Sequence, residues 1–183
     1  MGFIYLEEIS ALNLGLVIAG AVLCLASYVL RLVYHVVRYA QDRDSVGFRA
    51  SIVFIALGYF GWGYWSSADP VKMTIPRPVA LAVGIPLAAA GLALFVLSES
   101  RHRGSEANEG LITTGLYARV RHPMYVGIVL LHYGYPLIYR SFTAFLSTHL
   151  WIAFIVVWTG FEEKRLERSF GERYLEYKRS TWF

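Results

Sequence analysis

The stretch Arg121-His122-Pro123-Met124-Tyr125-Val126-Gly127 gathers a guanidinium, an imidazole and a phenol around the start of an apolar run. Proline is preorganised for the first turn of a helix, and the amides of a helix N-terminus attract carboxylates and other acceptors. Farther along, Glu162-Glu163 closes another apolar run. Two carboxylates at such a boundary are costly unless they meet water, basic partners or a cationic ligand. Upstream, Glu109-Gly110-Leu111-Ile112-Thr113-Thr114-Gly115-Leu116-Tyr117 mixes glycines with apolar residues between polar flanks. Glycines there let backbone groups approach an adenine ring while Leu111, Ile112 and Tyr117 cover its faces. The plainer accounts of these three segments are a basic helix entrance, a surface loop, and an ion-pair network of Glu162 and Glu163 with Arg119, Arg121, Lys164 and Arg165. The glycine spacing is not that of a Rossmann or Walker loop, since no strand precedes it.

The elements that must position these residues are written in the hydropathy. The 183 residues are 56% hydrophobic and only 16% charged, with a mean hydropathy of +0.46. Five stretches carry no formal charge: Ala11–Leu30, Ala50–Ser66, Pro78–Ser98, Pro123–Tyr139 and Ser141–Phe161. A helix needs about 17–25 residues to cross a bilayer core, and each stretch is in or near that range. Five buried helices in a soluble protein would leave too little polar surface to enclose them. The composition therefore predicts an all-α integral membrane protein with about five spans and a single domain, 1–183. Within it, 1–98 supplies three N-terminal spans and 99–183 the chemistry-bearing core. The first stretch reads as a helix rather than a cleaved signal, because Glu7 and Glu8 precede it in place of basic residues.

Five spans put the connectors after the first and third, and the C-terminal tail, on one side. Of the 17 Lys and Arg residues, all but Lys72, Arg77 and Arg140 fall there. That bias places this side in the cytoplasm and the N-terminus outside. The net charge of +4 then reflects topology and anionic lipid, so nucleic acid is not an expected partner. Cys24, the only cysteine, lies mid-span and reads as packing. His35, His132 and His149 show no ligand-like helical spacing, so no metal is expected.

Only Arg140 separates the fourth and fifth stretches, which predicts a tight antiparallel hairpin with Pro136 shortening or kinking the fourth helix. Pro123 and Phe161 then lie near each other at the cytoplasmic side. The segment 162–183 continues the fifth helix with Phe161, Leu166, Phe170 and Tyr174 on about one face, Gly171 breaking it locally. It is expected to lie along the membrane surface or fold back over the helix ends. The outer connector Ser67–Arg77, with Asp69-Pro70 and Pro76, reads as a loop.

Over roughly Gly104–Arg179 the chain resembles the isoprenylcysteine carboxyl methyltransferase family and related phospholipid N-methyltransferases. The resemblance rests on Leu111-Ile112-Thr113-x-Gly115-x-Tyr117, Arg121-His122-Pro123-x-Tyr125-x-Gly127, a membrane hairpin, Glu162-Glu163-x-x-Leu166 and Phe170-Gly171-x-x-Tyr174-x-x-Tyr177, in that order. It implies an enzyme that binds S-adenosylmethionine without a Rossmann sheet and methylates a lipid-like or small amphiphilic substrate entering from the bilayer. By position, it implies that Glu109, Gly110, Leu111, Ile112 and Tyr117 line the nucleoside side. His122, Pro123, Met124 and Tyr125 then hold the other side, Glu162 faces the cofactor, and His102 is a further polar contact. Arg121 or the backbone amides would receive the cofactor carboxylate, and Glu163 would take a proton on the substrate side.

One departure bears on substrate. Where the eukaryotic prenylcysteine enzymes have an arginine one turn before the paired acids, this chain has Trp158. A carboxylate, an amine and a thiol therefore all stay open as acceptors. Two other classes stay open as well, a sterol-reductase-like enzyme using NADPH and a non-catalytic membrane scaffold.

Overall fold

A computed structural model describes residues 3–38, 45–106 and 110–183. Six α-helices follow in order: α1 (Ala11–Arg38), α2 (Ser45–Ala68), α3 (Arg77–Glu106), α4 (Pro123–Tyr139), α5 (Phe142–Phe170) and α6 (Glu172–Ser180). The five predicted apolar stretches lie in α1 to α5. Among the described residues, Ala11–Leu30, Arg77–Ser100 and Phe142–Phe170 are long and apolar enough to cross a membrane. At 17 residues, α4 is at the lower bound for a span. Apolar side chains such as Val83, Leu92, Val96, Val156 and Val157 face outward, which is stable against hydrocarbon and not against water.

Helix pairs approach through small residues. A Cβ at Gly91 would lie 2.6 Å from the Gly127 carbonyl oxygen, and one at Gly127 2.7 Å from that of Gly91. Gly84 and Gly134 repeat the arrangement farther along α3 and α4, and Gly20 meets Gly61 between α1 and α2. Without a hydrophobic force between helices in lipid, such backbone contact is the main source of their attraction. Two apolar clusters fill the bundle. One centres on Cys24, Trp62 and Trp151, as the packing reading of Cys24 expects, and the other on Tyr125, Ile128 and Ile155.

The connector between α2 and α3 is more ordered than a loop. Two short strands, β1 (Ile4–Leu6) and β2 (Val71–Met73), pair antiparallel with Tyr5 opposite Lys72. Buried Asp69 accepts hydrogen bonds from the hydroxyls of Ser141 and Thr143 and from the amides of Val71 and Thr143. This one carboxylate therefore fixes β2 to the α4–α5 turn, where Arg140 adopts a left-handed conformation (φ 55°). The tight hairpin expected at Arg140 is present. At its other end α5 breaks at Gly171 (φ 55°, ψ −133°), a conformation that favours glycine, and α6 folds back.

The Gly91–Gly127 contact yields a paired test. Gly127→Ala should destabilise the protein by about 1–3 kcal/mol through overpacking against backbone atoms. Gly160→Ala, where a Cβ meets nothing within 4 Å, should leave the melting temperature in detergent unchanged or slightly raised.

Candidate functional site

The hairpin carries the start of α4 to the level at which α5 emerges from its apolar run. Tyr125, one turn into α4, donates its hydroxyl to Glu162 Oε2 at 2.8 Å. Arg121, just before α4, donates from Nε to Glu163 Oε1 at 3.0 Å. Between them sits His122, its side chain 4% exposed, with Nδ1 3.9 Å from Glu162 and Nε2 3.5 Å from Glu163. Its buried Nε2 makes no hydrogen bond. Burial pushes the His122 imidazole below its ordinary value, outweighing the pull of the two carboxylates, so the ring is neutral at pH 7.

The two glutamates have different surroundings. Glu163 lies between Arg121 and Lys178, whose Nζ is 2.7 Å away and also meets Glu167 at 2.9 Å. Hydrogen bonds to Glu163 and Glu167 raise the Lys178 ammonium above its ordinary value, keeping it charged. Arg121 further donates to the carbonyls of Lys178 (3.1 Å) and Thr181 (2.8 Å), so it joins α4, α5 and the end of α6. The Glu162 side chain is twice as exposed, 36% against 17% for Glu163, and the ion pairs that hold Glu163 do not reach it. Glu162 is thus the acid presented outward, and Glu163 is the acid held within.

The tail after α6 takes part. Trp182 pairs with Val120 as a parallel bridge, and the amides of Arg121 and His122 donate to the carbonyls of Trp182 (2.9 Å) and Phe183 (3.1 Å). Phe183 packs on the Tyr125 cluster and stands edge-on to His122. The Arg121 guanidinium, one of the donors expected for a ligand carboxylate, is therefore already engaged by the chain. The proton-accepting role expected of Glu163 likewise meets a carboxylate tied to two cations.

The upstream segment reaches the same place. Gly110 to Thr113 form no regular element, Thr114 is extended, and a short 3₁₀ turn, Gly115–Ala118, carries Tyr117. The Tyr117 carbonyl accepts from Tyr177 of α6 at 2.6 Å, and its hydroxyl donates to the Ser98 carbonyl of α3 at 3.5 Å. Burial, then the nearby Glu162, raise the Tyr117 phenol above its ordinary value. Tyr117, His122, Pro123, Met124, Tyr125 and Glu162 thus converge, with half-buried Leu111 and Ile112 leading in. Glu109 and the side chain of His102 lie outside the described residues.

An aromatic cavity adjoins the cluster, lined by Tyr28, Tyr59, Tyr125, Ile128, Phe154, Ile155 and Trp158. Four helices build it, and among the described residues no charged side chain lines it. Tyr125 belongs to both places, its ring walling the cavity and its hydroxyl bonded to Glu162. Sequence reasoning missed Tyr28 and Tyr59, which come from α1 and α2, and missed the tail and Lys178 as parts of the site.

The family profile described as phospholipid methyltransferase matches residues 79–173, more than half of the chain. Neither a curated protein nor a solved structure matches it.

The contrast between the two acids is measurable as stability. Glu163→Gln leaves two cations facing a neutral amide and should cost about 2 kcal/mol, below the range for a fully buried pair because Lys178 is partly exposed. Glu162→Gln should leave the unfolding free energy within about 0.5 kcal/mol of wild type.

Proposed function

The chain belongs to the phospholipid methyltransferase family, and we propose that it transfers a methyl group from S-adenosylmethionine to an amphiphile held in the aromatic cavity. As a family member with three apolar helices long enough to span, it is a membrane methyltransferase. The observation that carries the finer reading is the double position of Tyr125, at the boundary between the Glu162 carboxylate and the cavity. S-adenosylmethionine, when bound, supplies an electrophilic methyl on a sulfonium.

The residues present fit that cofactor. Glu162 is an outward carboxylate steadied by the Tyr125 hydroxyl, suited to an ammonium partner. The buried Nε2 of neutral His122, 3.5 Å from Glu163, offers a polar contact at the same depth. Leu111, Ile112 and Tyr117 supply apolar cover for the nucleoside side, with Gly110 at its edge, and Pro123 and Met124 complete the opposite wall. In this reading Arg121 and Glu163 act as a brace that holds α4, α5 and α6 in register around the ligand.

The acceptor is a neutral nucleophile, an amine or a thiol, in preference to a carboxylate. A desolvated carboxylate needs a cation, Trp158 offers none, and Arg121 and Lys178 are both engaged by Glu163. Desolvation and alignment by the aromatic walls raise the reactivity of a neutral nucleophile. The active face is cytoplasmic by the distribution of basic residues.

Titration calorimetry with S-adenosylhomocysteine tests the cofactor reading. Wild-type protein should bind it, and Glu162→Gln should weaken binding about 10- to 100-fold, the worth of a charge-assisted hydrogen bond. Unchanged affinity in a folded Glu162→Gln variant, or no binding by wild type in detergent and in lipid, would reject it.

A further inference from the structure

The aromatic cavity lies between the two apolar clusters of the bundle. Tyr125, Ile128, Ile155 and Trp158 belong to one, and Tyr28, Tyr59 and Phe154 fringe the other, whose buried centre is Trp62 and Trp151. At the level of that second cluster sits His132, 1% exposed. Its Nδ1 donates to the Ile128 carbonyl at 2.8 Å, which leaves Nε2 to accept the Tyr28 hydroxyl at 3.3 Å. The Tyr28 ring is also stacked on Trp151, with centroids 4.5 Å apart, while Trp62 and Tyr59 pack against the His132 ring. Tyr28 is therefore held by a hydrogen bond and a ring stack, and cannot move aside without breaking both.

We infer that Tyr28 and Tyr59, fixed by His132 and Trp151, form the floor of the acceptor site, and that the site takes a compact amphiphile whose inserted apolar part is limited by that floor. This rests on the cavity being the methyl-acceptor site, as proposed above. The depth follows from α4: Tyr125 and His132 are seven residues apart, which is about 10 Å of helix. His132 lies behind Tyr28 and Tyr59 and does not line the cavity, so an acceptor whose reactive atom lies at Tyr125 has at most that length available before it meets the floor. Tyr28 and Tyr59 both lie outside residues 79–173, so the size of the acceptor is set by helices that the family match does not include. Tyr28 is a specificity-determining residue, and His132 positions it.

The test uses N,N-dimethylalkylamines from butyl to hexadecyl, with S-adenosylhomocysteine present. Binding is read as the change in Trp158 fluorescence, corrected by subtracting the signal of the Trp158→Phe variant. Affinity should rise about fourfold for each added methylene while the chain fills the cavity, then level off before it spans about 10 Å. In Tyr28→Ala the plateau should move to longer chains. In Ile128→Phe, which fills the cavity from the opposite wall, it should move to shorter ones, so the outcome does not depend on one variant folding. An affinity that climbs without a break to hexadecyl, or a plateau that stays in place in the folded variants, overturns the inference. Methyl transfer from radiolabelled cofactor is measured on the same amines. A plateau that shifts as described without any methyl transfer supports the floor and rejects the enzymatic reading, and transfer with no plateau does the reverse.

Discussion

Glu163 stands where the start of α4, the body of α5 and the end of α6 meet. A carboxylate only 17% exposed at the edge of an apolar bundle is stable when cations reach it, and Arg121 and Lys178 come from opposite directions to do so. Arg121 arrives from the residues preceding α4, and Lys178 from α6 after the chain reverses at Gly171. The ion cluster thus sets how far α6 folds back, and with it the place of Tyr174 and Tyr177. Tyr177 in turn holds the Tyr117 carbonyl, and Thr181 accepts from the Arg121 guanidinium. Removing the carboxylate releases contacts on every element that borders the site.

The same cluster gives the adjacent acid its freedom. Successive residues on a helix point about 100° apart, so Glu163 turning inward toward Arg121 leaves Glu162 on a neighbouring face, toward Tyr125 and the opening. Tyr125 then couples a polar compartment to an apolar one across a single aromatic ring. At the far end of the hairpin, Asp69 does for the α4–α5 turn what Glu163 does where α4 begins. Both are acids held by several donors, and the glycine contacts of α3 with α4 pack the hairpin between them.

Much of this is legible in the residues. Charge-free runs locate α1 to α5, a lone Arg140 between two of them forces a tight hairpin, and Gly171 marks the reversal. Arg121, His122, Tyr125 and Glu162 converge because that hairpin is antiparallel, a consequence that follows from connectivity. The assignment of roles within the cluster is less legible. Glu162 and Glu163 differ only by a rotation on the helix, and which one meets Arg121 depends on Lys178 returning from a distant helix. Pairing of Trp182 with Val120 leaves no local pattern in so short a tail. Ser67–Arg77 reads as a loop because Asp69-Pro70 and Pro76 crowd it, although three residues between them add to a strand near the N-terminus. Tyr28 and Tyr59 belong to helices whose sequences show only apolar periodicity, so their meeting at a cavity wall is a tertiary fact.

The central claim is that Glu163 braces the helices so that Glu162 can face a cofactor. A structure of the protein in lipid with S-adenosylhomocysteine bound tests it most directly. The account predicts the ligand amino group against Glu162, its nucleoside beside Tyr117, and the Arg121–Glu163–Lys178 contacts intact. A ligand bound elsewhere, or one whose carboxylate draws Arg121 away from Glu163, would contradict it.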